Sequence, residues 1–380
     1  MVKKTLSLIL ILVLIISTLG LVGCSNTDKQ AETGPIKIGA AAPMTGDYAM
    51  YGEYAKDGIE LAKEEINKNG GILGRQIEIV YADDKGDSKE AVNVAQKFVS
   101  DSSITAILGH FFSGCTLAAG PIYQQNGIPE IAIASTNPNV ADIGDYVYRI
   151  NVGDNYQGAQ MAKWLFDNKK YKKVAVIYDN SDYGKGVSTV FSDSFKKLGG
   201  EVTASESYIG GQEKDFSVIL TKIKAASPEA IVLATYQEGA LIIQQAKKAG
   251  LDVPFIGSDS IYTDDFIQLG GSSVEGTHVV CYFHPTDPRP AAQEFVKKYK
   301  EKYDKEVNSW SPYAYDALNL LADAIKRAGS TDKAAIKKAI SETSKFEGAT
   351  GETSFTNSRE PIGKDLVILV VKDGKFVAEQ

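Results

Sequence analysis

Histidine, cysteine, methionine and tryptophan are all scarce in this chain of 380 residues, with three, three, four and two copies respectively. With only His110, His278 and His284 to draw on, a Ser-His-Asp arrangement or a histidine metal site has little support. His278 and His284 lack the i,i+4 spacing of a zinc pair, and they fall on a predicted strand and just beyond it. His110 follows Gly109 at a strand end and could serve as a base for Ser113, but no nucleophile elbow surrounds that serine and no acid stands ready to orient the ring. Phosphate-cradling loops are missing too: there is no Gly-x-x-x-x-Gly-Lys-Ser/Thr run and no Gly-x-Gly-x-x-Gly between a strand and a helix. The acidic run Asp83-Asp84-Lys85-Gly86-Asp87 lacks the ligand spacing and terminal glutamate of a calcium loop and reads as a solvated turn. No enzymatic activity, cofactor or metal is therefore expected.

Charge of one sign is also in short supply. The 41 basic and 48 acidic residues are interspersed and sum to -7, so no basic footprint for nucleic acid is present. Three cysteines cannot build a disulfide framework. Cys115 and Cys281 stand beside aromatic or small residues in core-like runs and read as buried free thiols, although a bond between them stays open.

Long apolar runs are absent except at the beginning. Lys3-Lys4, an apolar stretch from Leu8 to Ile16 and a small-residue zone form the three parts of an export signal. Ser17, Thr18 and Gly20 interrupt the run before the roughly twenty apolar residues that a spanning helix requires. Leu21-Val22-Gly23-Cys24 resembles the bacterial lipobox, which implies cleavage after residue 23 and lipidation of Cys24. Residues 24–35 are polar and without apolar period, as in a flexible tether. The expected location is the extracytoplasmic face of the cell membrane.

From Ile36 onward short β-branched runs alternate with helical patterns, which argues for parallel sheets covered by helices. A first series pairs strands at Ile36–Ala40, Ile77–Tyr81, Ala106–Leu108 and Ile131–Ile133 with helices over Gly52–Asn69, Ser88–Val99 and Gly114–Gln125. A second begins at Lys173, with strands at Val174–Tyr178, Val202–Tyr208, Ala230–Ala234 and Phe255–Ile256. The third part, from about Pro285, offers helices at Ala291–Tyr303 and Ser311–Ala328, the latter with Ser311 as cap and Pro312 at the first helical position. It ends in a strand pair turning at Asp373-Gly374. Neither piece resembles a self-sufficient domain, so the third part should complete the two earlier blocks.

Ligands of open parallel sheets bind beyond the carboxyl ends of the strands. Pro43 to Gly52, Gly109 to Gly114 and Ala134 to Pro138 put hydroxyls and aromatics on one such rim. Ser113 there acts either as a cap or as a carboxylate anchor, and Thr136 either as a turn residue or as a second anchor. The second block repeats the rim with Asp179 to Gly184, Thr235 to Glu238 and Gly257 to Ser260. Asp259 reads either as an Asx-turn or as a receiver of an ammonium group. Tyrosines on two of these rims suggest an apolar wall with hydroxyl tips.

At these residues the chain resembles the leucine/isoleucine/valine-binding proteins of ATP-driven transporters. The resemblance is carried by Gly46 to Gly58, Asn69 to Arg75, Gly109-His110-Phe111-Phe112-Ser113, Ala134 to Pro138, Asp182 to Gly186 and Val371 to Lys375. It implies an α/β fold of two Rossmann-like lobes with parallel central sheets, joined by three crossovers near Asn151–Asn155, Cys281–His284 and Pro361–Asp365. The lobes would be 36–152 plus 284–362, and 153–283 plus 363–380. It further implies that Ser113, Ala134 and Thr136 hold a ligand carboxylate, that Asp259 takes the ammonium, and that Tyr51, Phe111, Phe112, Tyr183, Tyr236 and Phe283 wall the side chain. Aspartate at 259, where a known member of the family has glutamate, shortens the reach, so that either the lobes close slightly further or a water intervenes. The implied function is that of a monomeric substrate-binding lipoprotein delivering a branched-chain or other hydrophobic amino acid to ABC permease subunits. A receptor for another amino-acid-like or amide solute, and a sensor for a signalling partner, are the alternatives.

Overall fold

The computed structural model describes residues 34–355 and 359–379. The expected export signal, the expected lipidation site at Cys24 and most of the expected tether lie outside them. The first series runs β1 (Ile36–Ala42), α1 (Ala49–Lys68), β2 (Ile77–Asp83), α2 (Ser88–Ser100), β3 (Ile104–Leu108), α3 (Ser113–Gln125), β4 (Glu130–Ala132) and β5 (Val147–Arg149). These strands form one parallel sheet in the order β2-β1-β3-β4-β5. Every residue of β3 is buried, the mark of a strand covered by helices on both faces.

The second series opens with α4 (Asp154–Lys163) and β6 (Lys173–Asp179), then α5 (Asp182–Lys197), β7 (Glu201–Tyr208), α6 (Ser217–Ala225) and β8 (Ala230–Ala234). It continues through α7 (Gly239–Lys248), β9 (Phe255–Gly257), α8 (Asp264–Gly270) and β10 (His278–Cys281). The third part supplies α9 (Pro290–Tyr303), α10 (Ser311–Ala328) and α11 (Lys333–Ser341), a small sheet of β11 (Phe346–Gly348), β12 (Gly351–Phe355) and β13 (Pro361–Ile362), and the hairpin β14 (Val367–Lys372) and β15 (Lys375–Ala378).

This third part is divided between the two blocks, as the sequence requires. Helix α10 packs along α1, where Ser311 Oγ donates to the Tyr54 carbonyl at 2.9 Å. The hairpin instead joins the second sheet, whose order is β15-β14-β10-β9-β8-β6-β7, with β14 antiparallel to β10. The chain thus passes between the two sheets three times, through 150–153, 282–289 and 363–366.

Two local readings need correction. Ser311 is the first helical residue and not the cap; the side chain of Asn308 accepts the N–H groups of Trp310 and Ser311 at 2.8 and 2.7 Å in its place. The Asp83–Asp87 run is only partly a solvated turn. Asp87 caps α2, while Asp84 is fully buried against His110.

No described helix is long and apolar enough to cross a membrane. Both remaining cysteines are buried free thiols, Cys115 on α3 and Cys281 at the end of β10.

Candidate ligand cleft

Each sheet has one place where the strand order reverses. β1 lies between β2 and β3, and β6 lies between β7 and β8. Crevices open beyond the carboxyl ends of strands at such points. The loops after β1 and β3 and the loops after β6 and β8 supply most of the residues singled out above, so the topology brings both rims to the same cleft.

The helices following β1 and β6 share a device. A Cβ on Gly52 would sit 2.2 Å from the Pro43 carbonyl oxygen, and one on Gly184 would sit 2.1 Å from that of Asp179. Only glycine allows the first helical turn to press so closely onto the strand end. The preceding residues, Tyr51 and Tyr183, are thereby placed in the crevice.

A small, nearly closed cavity of about 10 Å³ lies there, lined by Tyr51, Phe111, Phe112, Ser113, Ala134, Tyr183, Tyr236, Ser260 and Trp310. Its walls are a continuous aromatic box. Ring centroids lie 5.5 Å apart for Tyr51 and Phe111, 5.1 Å for Phe112 and Tyr236, 5.3 Å for Tyr183 and Tyr236, and 5.5 Å for Phe111 and Trp310. Most pairs meet tilted or edge to face, as ring quadrupoles favour. The rims touch across the cleft: Tyr51 OH donates to the Ser260 carbonyl at 3.1 Å, Asn137 Nδ2 to the Asp182 carbonyl at 2.6 Å, and Gln237 Nε2 to the Asp47 carbonyl at 3.3 Å.

The polar part of the site is equally defined. The Ser113 hydroxyl accepts the N–H groups of Thr136 and Asn137, both at 3.2 Å. Arg149, fully buried at the end of β5, holds that loop from behind by donating to the carbonyls of Ser135 and Asn137 at 3.2 and 2.9 Å, and it pairs with Glu360. From the second sheet, Asp259 opens a single 3₁₀ turn, 1% exposed, and its Oδ1 accepts the Tyr183 hydroxyl at 2.7 Å. Burial pushes this carboxyl above its ordinary value, and the Tyr183 hydrogen bond opposes that rise.

Of the residues expected at the site, Tyr51, Phe111, Phe112, Ser113, Ala134, Tyr183 and Tyr236 line the cavity, with Thr136 and Asp259 adjoining through hydrogen bonds. Phe283 does not line it. That side chain follows β10 into the second passage and packs edge to face on Phe295 of α9, centroids 6.2 Å apart. Trp310 and Ser260 line the cavity without having been singled out. Ser260 lies next to Asp259 and was nameable on that ground, whereas Trp310 precedes α10, far from every strand end, and nothing local marks it.

His110 is turned away from Ser113. Its ring is fully buried, Nδ1 lies 2.6 Å from Asp84 Oδ2 and Nε2 lies 3.2 Å from the Tyr123 hydroxyl. The ring that could have served Ser113 as a base is thus engaged by Asp84 and Tyr123, and Ser113 is not a nucleophile paired with His110. Among the described residues no group of acidic, histidine and cysteine side chains could hold a metal.

Two largely parallel sheets with opposed switch-point crevices, joined by three passages and enclosing a small polar-ended cavity, define a solute-binding protein of the type I periplasmic class. A family model described as periplasmic binding protein matches residues 35–375. The chain is 36% identical over 330 residues to Leu/Ile/Val-binding protein homolog 1 of Brucella suis, covering 86% of this chain and 87% of that one. In structure it is similar to a leucine binding protein, LivK, of Thermotoga maritima, with TM-score 0.87, 35% identity and coverage of 91% and 98%. It is also similar to LivJ, a branched-chain amino acid transporter substrate binding protein of Streptococcus pneumoniae solved with isoleucine, with TM-score 0.84, 33% identity and coverage of 91% and 99%. The chain belongs to the periplasmic binding protein family, in its leucine/isoleucine/valine-binding branch, whose members are binding proteins and not enzymes.

Proposed function

We propose that the protein is an exported receptor, lipid-anchored through Cys24, that captures a branched-chain or other hydrophobic α-amino acid for an ABC importer. The observation that carries this reading is the aromatic box bordered by Ser113, Thr136 and the buried carboxylate of Asp259. The ligand carboxylate goes to the Ser113 hydroxyl and the Ala134–Thr136 segment, the ammonium to Asp259, and the side chain between the rings of Tyr51, Phe111, Phe112, Tyr183, Tyr236 and Trp310. A buried aliphatic side chain contributes about 1.5–3 kcal/mol, and each hydrogen bond to a charged group about 1.5–3 kcal/mol.

The carboxylate anchors belong to the lobe of residues 36–152 and 284–362, and Asp259 to the lobe of 153–283 and 363–380. Only with the rims together are all contacts made, so the ligand stabilises the closed form by that difference. The isoleucine-bound LivJ structure and the 36% identity to a Leu/Ile/Val-binding protein homolog over 86% of the chain support this ligand class. The test is titration calorimetry of the soluble body with leucine, isoleucine and valine, alongside a thermal-shift screen of the other amino acids and small amides. Micromolar or tighter binding of one of the three is expected, and binding of all three weaker than about millimolar, about 4 kcal/mol, overturns the assignment. The anchor is tested separately, since Cys24→Ser should release the protein into the medium.

A further inference from the structure

Behind the aromatic box lies a group of buried polar atoms that the described hydrogen bonds leave unsatisfied. Asp154, the first residue of α4, is 0% exposed, and its backbone N–H donates to the Thr136 carbonyl at 2.8 Å, which seats it beside the anchoring loop. Neither of its carboxylate oxygens has a hydrogen-bond partner, and the same holds for Asp259 Oδ2 and Thr136 Oγ1. The Thr136 hydroxyl faces Asp154, and the amides of Gln157 and Asn151 face Asp259, yet none of these closes a hydrogen bond of full geometry. Buried polar groups are ordinarily paired, so several orphaned oxygens in one place mark a site for a donor.

The charge balance is as unusual as the hydrogen bonding. Asp154 and Asp259 are both buried, and the Asp259 charge adds to the cost of ionising Asp154. Among the described residues the cation facing Asp154 is Arg149 from β5, and its charge is already matched by Glu360, just before β13. The other titratable groups nearby are neutral: Tyr183 of α5, Tyr282 and Cys281 at the end of β10, and Tyr313 of α10. Two desolvated carboxylates without a free counter-ion do not both ionise.

We propose that Asp154 and Asp259 share one proton in the ligand-free pocket, and that the ammonium group of a bound amino acid takes its place. This rests on the amino-acid reading above and deepens it. On binding, the O–H bond of the carboxyl pair breaks and its proton passes to solvent. The pair then carries two negative charges, with the three N–H donors of a primary ammonium facing Asp154, Asp259 Oδ2 and Thr136 Oγ1. Burial, with the Asp259 charge second, pushes the Asp154 carboxyl up to about 8, so the exchange operates at neutral pH and ceases above that value.

Two measurements on the wild-type protein decide it. Carbon-13 NMR of the aspartate carboxyls in the ligand-free protein should show one proton retained by the pair at about pH 6 and lost near about pH 8. Both carboxyls ionised from about pH 6 upward overturn the proposal, whatever the ligand. Leucine calorimetry at neutral pH in two buffers of different ionisation enthalpy should then give release of about one proton per leucine bound. Asp154→Asn should bring that release close to zero, with circular dichroism confirming its fold. No release from the wild type, or undiminished release from a folded Asp154→Asn, overturns the expulsion step. If no amino acid binds, the ligand assignment fails and the expulsion step with it, while the retained proton is still decided by the NMR titration.

Discussion

The hydroxyl of Ser113, on the first turn of α3, accepts the backbone N–H of Thr136 at 3.2 Å across two loops that are 23 residues apart in sequence. A ligand carboxylate would compete for that N–H while accepting from the hydroxyl. Ser113→Ala removes a charge-assisted hydrogen bond of about 1.5–3 kcal/mol, so affinity should fall by roughly 10- to 150-fold. Calorimetry with leucine checks this, and an unchanged affinity would remove Ser113 from the carboxylate site.

Asp259 stands on the opposite rim with one oxygen satisfied by Tyr183 and the other unpaired. Truncating one partner of a buried charge pair costs about 2–5 kcal/mol. Asp259→Ala should therefore weaken binding by more than about thirtyfold. Loss should appear mainly in the dissociation rate, which stopped-flow displacement of bound leucine measures.

Trp310 closes the box against Phe111 and is 3% exposed. Trp310→Ala should lower stability by about 3–5 kcal/mol, read in urea unfolding. It should also enlarge the cavity, so that binding of phenylalanine rises relative to valine. A variant that keeps the wild-type preference would show that Trp310 does not set the size limit.

Stability of the ligand-free protein should depend on the Asp154 carboxyl in a definite direction. Its value is raised from 3.8 to about 8 on folding, by burial first and by Asp259 second. Between those two values the folded state holds more protons than the unfolded chain, so this contribution is complete below about pH 4 and is lost as pH rises through about 8. The slope approaches about 1.4 kcal/mol per pH unit at most. Subtracting the unfolding free energies of Asp154→Asn from those of the wild type across this range should expose it, and a flat difference would contradict it.

Much of the architecture was legible because its signals are local. The parallel strands are short apolar β-branched runs, and α1, α2 and α10 carry clear apolar periods, so the two blocks and the third part that completes them follow from the sequence. Helix α4 escaped, and the reason is instructive: its buried face includes Asp154 and Gln157 beside Met161 and Ala162. A search for apolar periodicity discards a helix whose inward residues are polar. β5, only three residues long, and β13, only two, leave too little pattern to read.

Sequence alone determined the two-block α/β organisation and the rims beyond the strand ends, because periodicity and turn chemistry are properties of the chain. The tertiary structure decided which rim residues meet. Trp310 enters the box from a helix start about two hundred residues beyond Phe111, Phe283 leaves it for Phe295, and Asp84 exchanges a solvated turn for the ring of His110. It also set Asp154 beside Asp259, two carboxylates whose chemistry depends on burial and on each other, and neither condition exists until the sheets have formed and the chain has crossed between them.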